Sequence, residues 1–250
     1  MNITGLSADD QKDRIDMALS VRQFRYSSDN LGYVVYGTES AMAIDGGAAD
    51  DILSFIRDRH LDLKFVANTH SHMDHTMGNQ ALLERSDAVF MDVDTLLKKK
   101  TVEMDGQIIQ VLHTPGHTSD SICFYFDSIL ISGDTLFNGK VGRCFTGDVD
   151  AFFQSIKTII KLPTETRVYA GHDYVKEYME FAKNLEPDNL QIESYLKNYN
   201  PIHVVATLEE ELKVDPFLRF NDEKIIALLK NMGLPVTTEL DRWRSLMSLM

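Results

Sequence analysis

The sequence predicts a mixed α/β domain over residues 21–173 and a small α-helical domain over residues 174–250, behind an N-terminal extension of residues 1–20. Three observations lead there. Short apolar runs of β type alternate with amphipathic stretches through the first two thirds of the chain, the pattern of α/β layering. After Gly171 the β-type runs stop. Beyond that point apolar residues recur at helical spacing, as they do when each helix packs one face on a neighbour.

In chain order, the first twenty residues are polar and charged, with Ile15 and Leu19 as apolar anchors, and read as a short surface helix. Residues 32–36 and 41–44 read as strands closed by the turn signal Asp45-Gly46-Gly47, a hairpin or meander. Ile52, Leu53, Phe55 and Ile56 form a helical stripe, and the apolar run 63–67 is the next strand. A polar cluster follows, then a helix around 79–85, a short strand at 88–91 and β-runs at 108–112, 122–126 and 129–132. Asp150 precedes an amphipathic run with Phe152, Phe153, Ile156, Ile159 and Ile160 on one face, and Pro163 stops it. The last strand spans 167–170. Helices are expected at 175–185, 189–199, 223–232 (with Gly233 as C-cap) and 238–250.

At 250 residues, 44% hydrophobic and 25% charged, the composition is that of a soluble globular protein and excludes intrinsic disorder. Twenty-five basic against 38 acidic residues leave a formal charge of -13, which repels phosphate backbones and anionic headgroups. Neither nucleic acid nor a membrane is therefore an expected partner. Cys123 and Cys144 are too few for a disulfide framework, the first residues lack the apolar core of a signal peptide, and no apolar run approaches the roughly 18 residues of a membrane span. A cytoplasmic location is the expectation.

The histidines carry more, because they cluster. Thr69-His70-Ser71-His72-Met73-Asp74-His75 stands where the apolar run 63–67 ends. Strand ends in α/β layers present side chains from a rigid backbone into a cleft, and imidazoles with a carboxylate suit zinc and other borderline divalent cations. Three further candidates sit at strand boundaries directly behind a glycine: His117 after Gly116, Asp134 after Gly133 and His172 after Gly171. Glycine lets the backbone turn sharply there. Such recurrence favours one shared metal site over unrelated loop histidines. His60, His113 and His203 lack that placement and are assigned to surface or loops.

With His70, His72, Asp74 and His75 matching H-x-H-x-D-H, and His117, Asp134 and His172 following in order, the sequence resembles the metallo-β-lactamase superfamily. The resemblance implies an αββα sandwich, two sheets face to face between helices, with a dinuclear metal site at one edge. It implies that His70, His72 and His117 hold one divalent ion, that Asp74, His75 and His172 hold the second, and that Asp134 bridges them. Zinc is the first choice of metal, and iron and manganese accept the same ligands. Asp74 and Asp134 would also orient a water or receive its proton.

Within the superfamily the chain is most similar to glyoxalase II, the hydroxyacylglutathione hydrolases, from about residue 29 to near its C-terminus. His75-Thr76-Met77-Gly78-Asn79, Gly133-Asp134-Thr135-Leu136-Phe137 and Gly171-His172-Asp173-Tyr174 carry the likeness in the first domain. Leu185-Glu186-Pro187-Asp188-Asn189, Thr207-Leu208-Glu209-Glu210-Glu211 and Asp215-Pro216-Phe217-Leu218-Arg219 carry it in the second. The resemblance implies hydrolysis of a small-molecule thioester, S-D-lactoylglutathione or a related acylglutathione, with a metal-bound hydroxide as nucleophile. Arg143 and Tyr174 stand where the family contacts glutathione, and Arg242 and Arg244 can supply its C-terminal arginine.

Departures accompany the likeness. Phe145 stands where the family has a tyrosine, Asp120-Ser121 replaces a Gly-His pair, and no lysine follows Arg244. Losing one charge-assisted contact to a carboxylate costs about 1.5 to 3 kcal/mol, so a weaker grip on glutathione or a different thioester is expected. Two rival readings use the same residues: a persulfide dioxygenase with a single iron on ligands of the His70, His117 and Asp134 type, and a metal-binding regulatory protein without catalysis. The sequence leaves the oligomeric state open.

Overall fold

The computed structural model describes residues 18–250, so the expected N-terminal surface helix falls outside the described residues as far as residue 17. The first sheet has the order β1-β2-β3-β4-β5. It is made of β1 (Ser20–Tyr26), β2 (Asn30–Tyr36), β3 (Ser40–Ile44), β4 (Asp62–Ala67) and β5 (Val89–Met91). Strands β1 to β3 form an antiparallel meander. Strands β3, β4 and β5 are parallel, joined through α1 (Ala49–Asp58) and then α2 (Met73–Thr76) with α3 (Asn79–Glu84). The chain continues through α4 (Val93–Lys99) into the second sheet.

That sheet contains β6 (Thr101–Met104), β7 (Gln107–His113), β8 (Ile122–Phe126), β9 (Ile129–Gly133), β12 (Arg167–Ala170) and β13 (Ala206–Thr207). Its order is β13-β12-β9-β8-β7-β6. Strands β6 to β9 are antiparallel, and β12 returns parallel to β9 after α5 (Val149–Ile159). A separate hairpin, β10 (Leu136–Phe137) with β11 (Lys140–Val141), lies between β9 and α5 in the chain. The C-terminal helices are α6 (Val175–Leu185), α7 (Gln191–Asn198), α8 (Leu208–Val214), α9 (Glu223–Asn231) and α10 (Glu239–Met247).

Strands covered on both faces need apolar residues at successive positions. In β2, Tyr33 and Val35 face the core between the sheets, while Val34 joins the layer beneath α1. The inter-sheet core continues through Met42, Ile44, Ile109, Phe124 and Ile131. Ile52 and Ile56 of α1 cover Ala41 and Ala43 outside the first sheet. Outside the second, Phe152, Phe153 and Ile156 of α5 cover Cys123 and Leu130, and the same cluster takes in Phe217, Phe220 and Trp243 from the C-terminal segment. The αββα sandwich with a helical tail is therefore the observed architecture. No helix among the described residues is long and apolar enough to cross a membrane.

Several elements depart from the sequence reading, each for a physical reason. Strand β1 is an edge strand carrying Arg22 and Arg25, whose charges hide its alternation. Strand β6 has only four residues, but the Asp105-Gly106 turn after it has φ of 49° and 74°, the signature of a tight hairpin. Helix α8 is too short to show periodicity, and its signal is the Thr207/Glu210 capping box. Helix α5 starts at Val149, because Asp148 caps it by accepting the Ala151 N–H.

Candidate metal centre

All seven sequence-predicted ligands follow strand ends. His70 and His72 lie in the loop after β4, Asp74 and His75 on α2, His117 between β7 and β8, Asp134 next to the last residue of β9, and His172 just beyond β12. Folding brings them together as two groups: His70, His72, His117 and Asp134, and Asp74, His75 and His172. In the first group His72 Nδ1 is 2.9 Å from His70 Nε2 and 3.1 Å from His117 Nε2. In the second, His172 Nε2 is 3.2 Å from His75 Nε2 and 3.3 Å from Asp74 Oδ2. Asp134 stands between them. Its Oδ2 lies 3.4 Å from His117 Nε2 and 3.6 Å from His172 Nε2, and its Oδ1 lies 3.3 Å from His75 Nε2.

The hydrogen bonds on the far side of each ring decide what faces inward. His117 Nδ1 donates to the Arg143 carbonyl at 2.9 Å, and His172 Nδ1 to Asp29 Oδ1 at 2.9 Å. His75 Nδ1 is 2.9 Å from Asp45 Oδ2. Thr69 gives its hydroxyl proton to Asp45, so its oxygen accepts from His70 Nδ1 at 3.1 Å. With Nδ1 protonated, Nε2 of His70, His117 and His172 presents a lone pair to the centre, and His75 Nε2 does so when a cation replaces its proton. Converging lone pairs and a buried carboxylate oxygen repel one another unless a cation sits among them. Asp134 Oδ1, buried and without a hydrogen-bond donor, completes that picture, and the donor set suits a borderline divalent metal.

The charges follow the same logic. Burial drives the His70 ring down to about 4, keeping it a neutral ligand. Burial opposes charge on His75 too, but the adjacent carboxylates Asp45 and Asp134 outweigh it and hold the ring up at about 11. Burial would raise Asp134, yet the adjacent His75 and the other nearby histidines hold it well below the usual carboxylate range. Close approach at the centre also explains the glycines: a Cβ on Gly171 would run into Asp134 Oδ1, and one on Gly133, whose φ is 51°, into Thr69. Gly171 further ties the sheets together, its carbonyl accepting the Leu31 N–H at 2.8 Å.

Comparison with known proteins places this geometry. The model of the Metallo-beta-lactamase superfamily matches residues 30–91 and 89–172, and that of the Hydroxyacylglutathione hydrolase C-terminus matches residues 173–246. A hydroxyacylglutathione hydrolase from Pseudoalteromonas translucida is 31% identical over 91% of this chain and 95% of its own length. One from Idiomarina loihiensis is 36% identical over 76% of this chain and 81% of its own length. The chain belongs to the hydroxyacylglutathione hydrolase family. Among solved structures, ETHE1 from Myxococcus xanthus is similar over 90% of this chain and 99% of its own, with 26% identity and a TM-score of 0.61. The BLEG-1 B3 metallo-beta-lactamase shares the fold at 21% identity and a TM-score of 0.60, over 80% of this chain and 99% of its own.

Around the metal centre of this hydroxyacylglutathione hydrolase family member, the predicted substrate residues divide. Tyr174 stacks flat on His172, with ring centroids 5.0 Å apart. Phe145, 59% exposed, sets its ring edge-on to His72 and His117, and the exposed Arg143 guanidinium lies 5.3 Å from its centroid. Arg242 and Arg244 contact none of the cluster. Arg244 makes a bidentate pair with Asp150, and Arg242 donates to the Val236 carbonyl and Asn221 Oδ1. His60, His113 and His203 are exposed and away from the cluster, as expected.

Sequence reasoning missed the residues that brace the ligands: Asp29 behind His172, Asp45 behind His75, and Asn30, whose amide donates to Asp74 Oδ2 at 2.9 Å. Asp45 reads as a turn residue in Asp45-Gly46-Gly47. Its signal is position, an acid directly after the fully buried β3, where only a paired carboxylate is tolerable.

Proposed function

We propose that this protein is a dinuclear-metal hydrolase of a small-molecule thioester, S-D-lactoylglutathione or a related acylglutathione. His70, His72 and His117 hold one divalent cation, zinc first, and Asp74, His75 and His172 hold the other, with the helical segment from about residue 174 forming the thiol-side wall. The observation that carries the reading is Asp134, which presents one oxygen to His75 and the other to His117 and His172, the placement of a bridging ligand. The complete second group also favours this reading over a single-iron dioxygenase. Cys123 and Cys144, both free, fit a cytoplasmic setting.

Bound divalent cations supply Lewis acidity and lower the pKa of water. The rest falls to the chain. Burial opposes ionisation of Asp74, but its Asn30 hydrogen bond and the charges of His75 and His172 hold it below the usual range, so this half-exposed carboxylate stays ionised as an acceptor that orients water. Burial and neighbouring carboxylates push the Tyr174 hydroxyl up to about 12, so it stays protonated as a donor to substrate. Arg143, on the rim beside Phe145, is the cation for a substrate carboxylate. The departing thiolate needs little help, since thiols ionise near pH 8.5.

The test is metal content per chain, read together with hydrolysis of S-lactoylglutathione and other acyl thioesters. Two metals and thioester cleavage are expected. If metal-loaded protein cleaves none of the thioesters, the assignment fails, and one iron with oxygen consumption on glutathione persulfide would replace it.

A further inference from the structure

The β10–β11 hairpin has both ends in the metal centre. It starts two residues after Asp134 and ends two before Arg143. Gly142 N–H closes its stem on the Thr135 carbonyl at 3.2 Å. From Arg143 the chain turns back on His117: the Arg143 carbonyl takes the His117 Nδ1 proton, and Phe145 N–H donates to the His117 carbonyl at 3.2 Å. A tilt of this hairpin therefore moves a bridging carboxylate and the ring orientation of another ligand together.

The hairpin tip is held by the helical tail. Glu211 of α8, fully buried, accepts the Gly139 N–H on Oε2 at 2.7 Å. Its Oε1 accepts Asn138 Nδ2 at 3.1 Å and the Tyr195 hydroxyl at 2.6 Å. Beside the tip, Lys140 packs its ammonium 4.2 Å from the Phe181 ring centroid and 5.0 Å from that of Tyr178. A buried carboxylate is costly unless its oxygens are satisfied, and here three donors from two segments satisfy it. Two of the three belong to the turn residues Asn138 and Gly139, the latter at φ 98°.

We infer that Glu211 is a positioning residue for the metal centre: from the helical tail it fixes the hairpin that aims Asp134 and orients His117. It touches neither ligand and acts through the backbone between them. The inference rests on the proposed roles of Asp134 and His117 as metal ligands.

Four variants of the full-length protein test it: Glu211→Leu, Glu211→Gln, Asn138→Ala and, as a stability control in α9, Leu229→Ala. Each is loaded with cobalt(II), and three quantities are measured: the visible absorption of the bound ion, its affinity by chelator competition, and the melting temperature of the metal-free chain. Glu211→Leu removes every acceptor and is expected to shift the cobalt spectrum and weaken metal binding about 10- to 100-fold, the range for lost supporting contacts. Glu211→Gln rescues, since its carbonyl still accepts from Gly139 while its amide can donate to the unpartnered Asn138 Oδ1 once that amide turns. Asn138→Ala cuts the same clamp from the hairpin side and shifts the spectrum in the same direction. It also stands in should Glu211→Leu not fold. Leu229→Ala lowers the melting temperature alone.

If Glu211→Leu or Asn138→Ala melts lower but keeps the parent cobalt spectrum and affinity, Glu211 is structural only and the inference is overturned. That outcome is distinguishable from failure of the hydrolase reading, in which the unmodified protein itself would bind no metal pair or cleave no thioester.

Discussion

His70 and His117 lean on neutral partners, the Thr69 hydroxyl and the Arg143 carbonyl, whereas His75 and His172 lean on the carboxylates Asp45 and Asp29. Apart from Asp134, the second half also contains the carboxylate of Asp74, while the first adds the imidazole of His72. A carboxylate behind an imidazole fixes its tautomer and makes it a stronger base. The second half is thus the more negative and more rigidly defined of the two, suited to gripping its ion. The first half, with Phe145 edge-on to His72 and His117 and Arg143 above that ring, carries the rim on which the proposed substrate contacts stand.

Asp134 belongs to both halves, so removing it erases the distinction. Asp134→Ala should lose both ions and reduce hydrolysis by on the order of 10³-fold or more, about 4 kcal/mol of barrier, in metal analysis and steady-state kinetics. Asp45→Asn breaks one half only. Metal affinity at the second site should fall about 10- to 100-fold, bringing the content of dialysed protein from two ions per chain towards one. Retention of two ions at parent affinity would show that the carboxylate brace is immaterial. On the rim, Arg143→Ala should raise KM about tenfold or somewhat more and leave kcat within a few-fold, the pattern of a charged contact made equally in ground and transition states.

Two smaller effects sharpen the contrast. Away from the metal centre, burial pushes Glu211 up to about 7 despite its hydrogen bonds, with Glu210 adding repulsion, while the neighbouring Asp215 is itself raised by burial and by Glu211 against the opposing charge of Lys140. A carboxyl group with a raised folded-state pKa contributes stability that is fully present below its unfolded value near 4.5 and is lost as pH rises through 7. Urea midpoints of the metal-free chain should accordingly fall less between pH 5 and 8 in Glu211→Gln than in the parent, and equal slopes would contradict the shift. Last, Phe145→Tyr restores a hydroxyl on the rim and should lower KM for an acylglutathione by a few-fold, the worth of one ordinary hydrogen bond.

The clustering of the candidate ligands was legible because chemistry and position coincide: imidazoles and carboxylates recurring at strand ends, three of them behind a glycine, have few other uses. Their braces were not. Asp29 and Asn30 lie at the start of β2 and reach His172 and Asp74 only because the first sheet meets the end of β12 at Gly171 and His172, a long-range pairing with no local trace. The arginines of α10 were singled out by chain position alone. Arg242 and Arg244 fit the expected role by chain position, but helix packing gives Arg244 to Asp150 and Arg242 to Asn221, and that register depends on Trp243 seating between Phe152 and Phe153. Buried strands such as β2 announced themselves as continuous apolar runs, while the charged edge strand β1 did not.

Strand β13 is two residues long, yet it settles a separate matter. It pairs antiparallel with β12, so the tail covers the sheet margin nearest His172 before Thr207 turns the chain into α8. An unpaired strand margin invites another molecule to add to it. At the far side of the first sheet, β5 pairs with no further strand among the described residues and exposes Val89 and Phe90, its three-residue length limiting what could add to it. The helical tail thus closes one flank of the sandwich to strand addition.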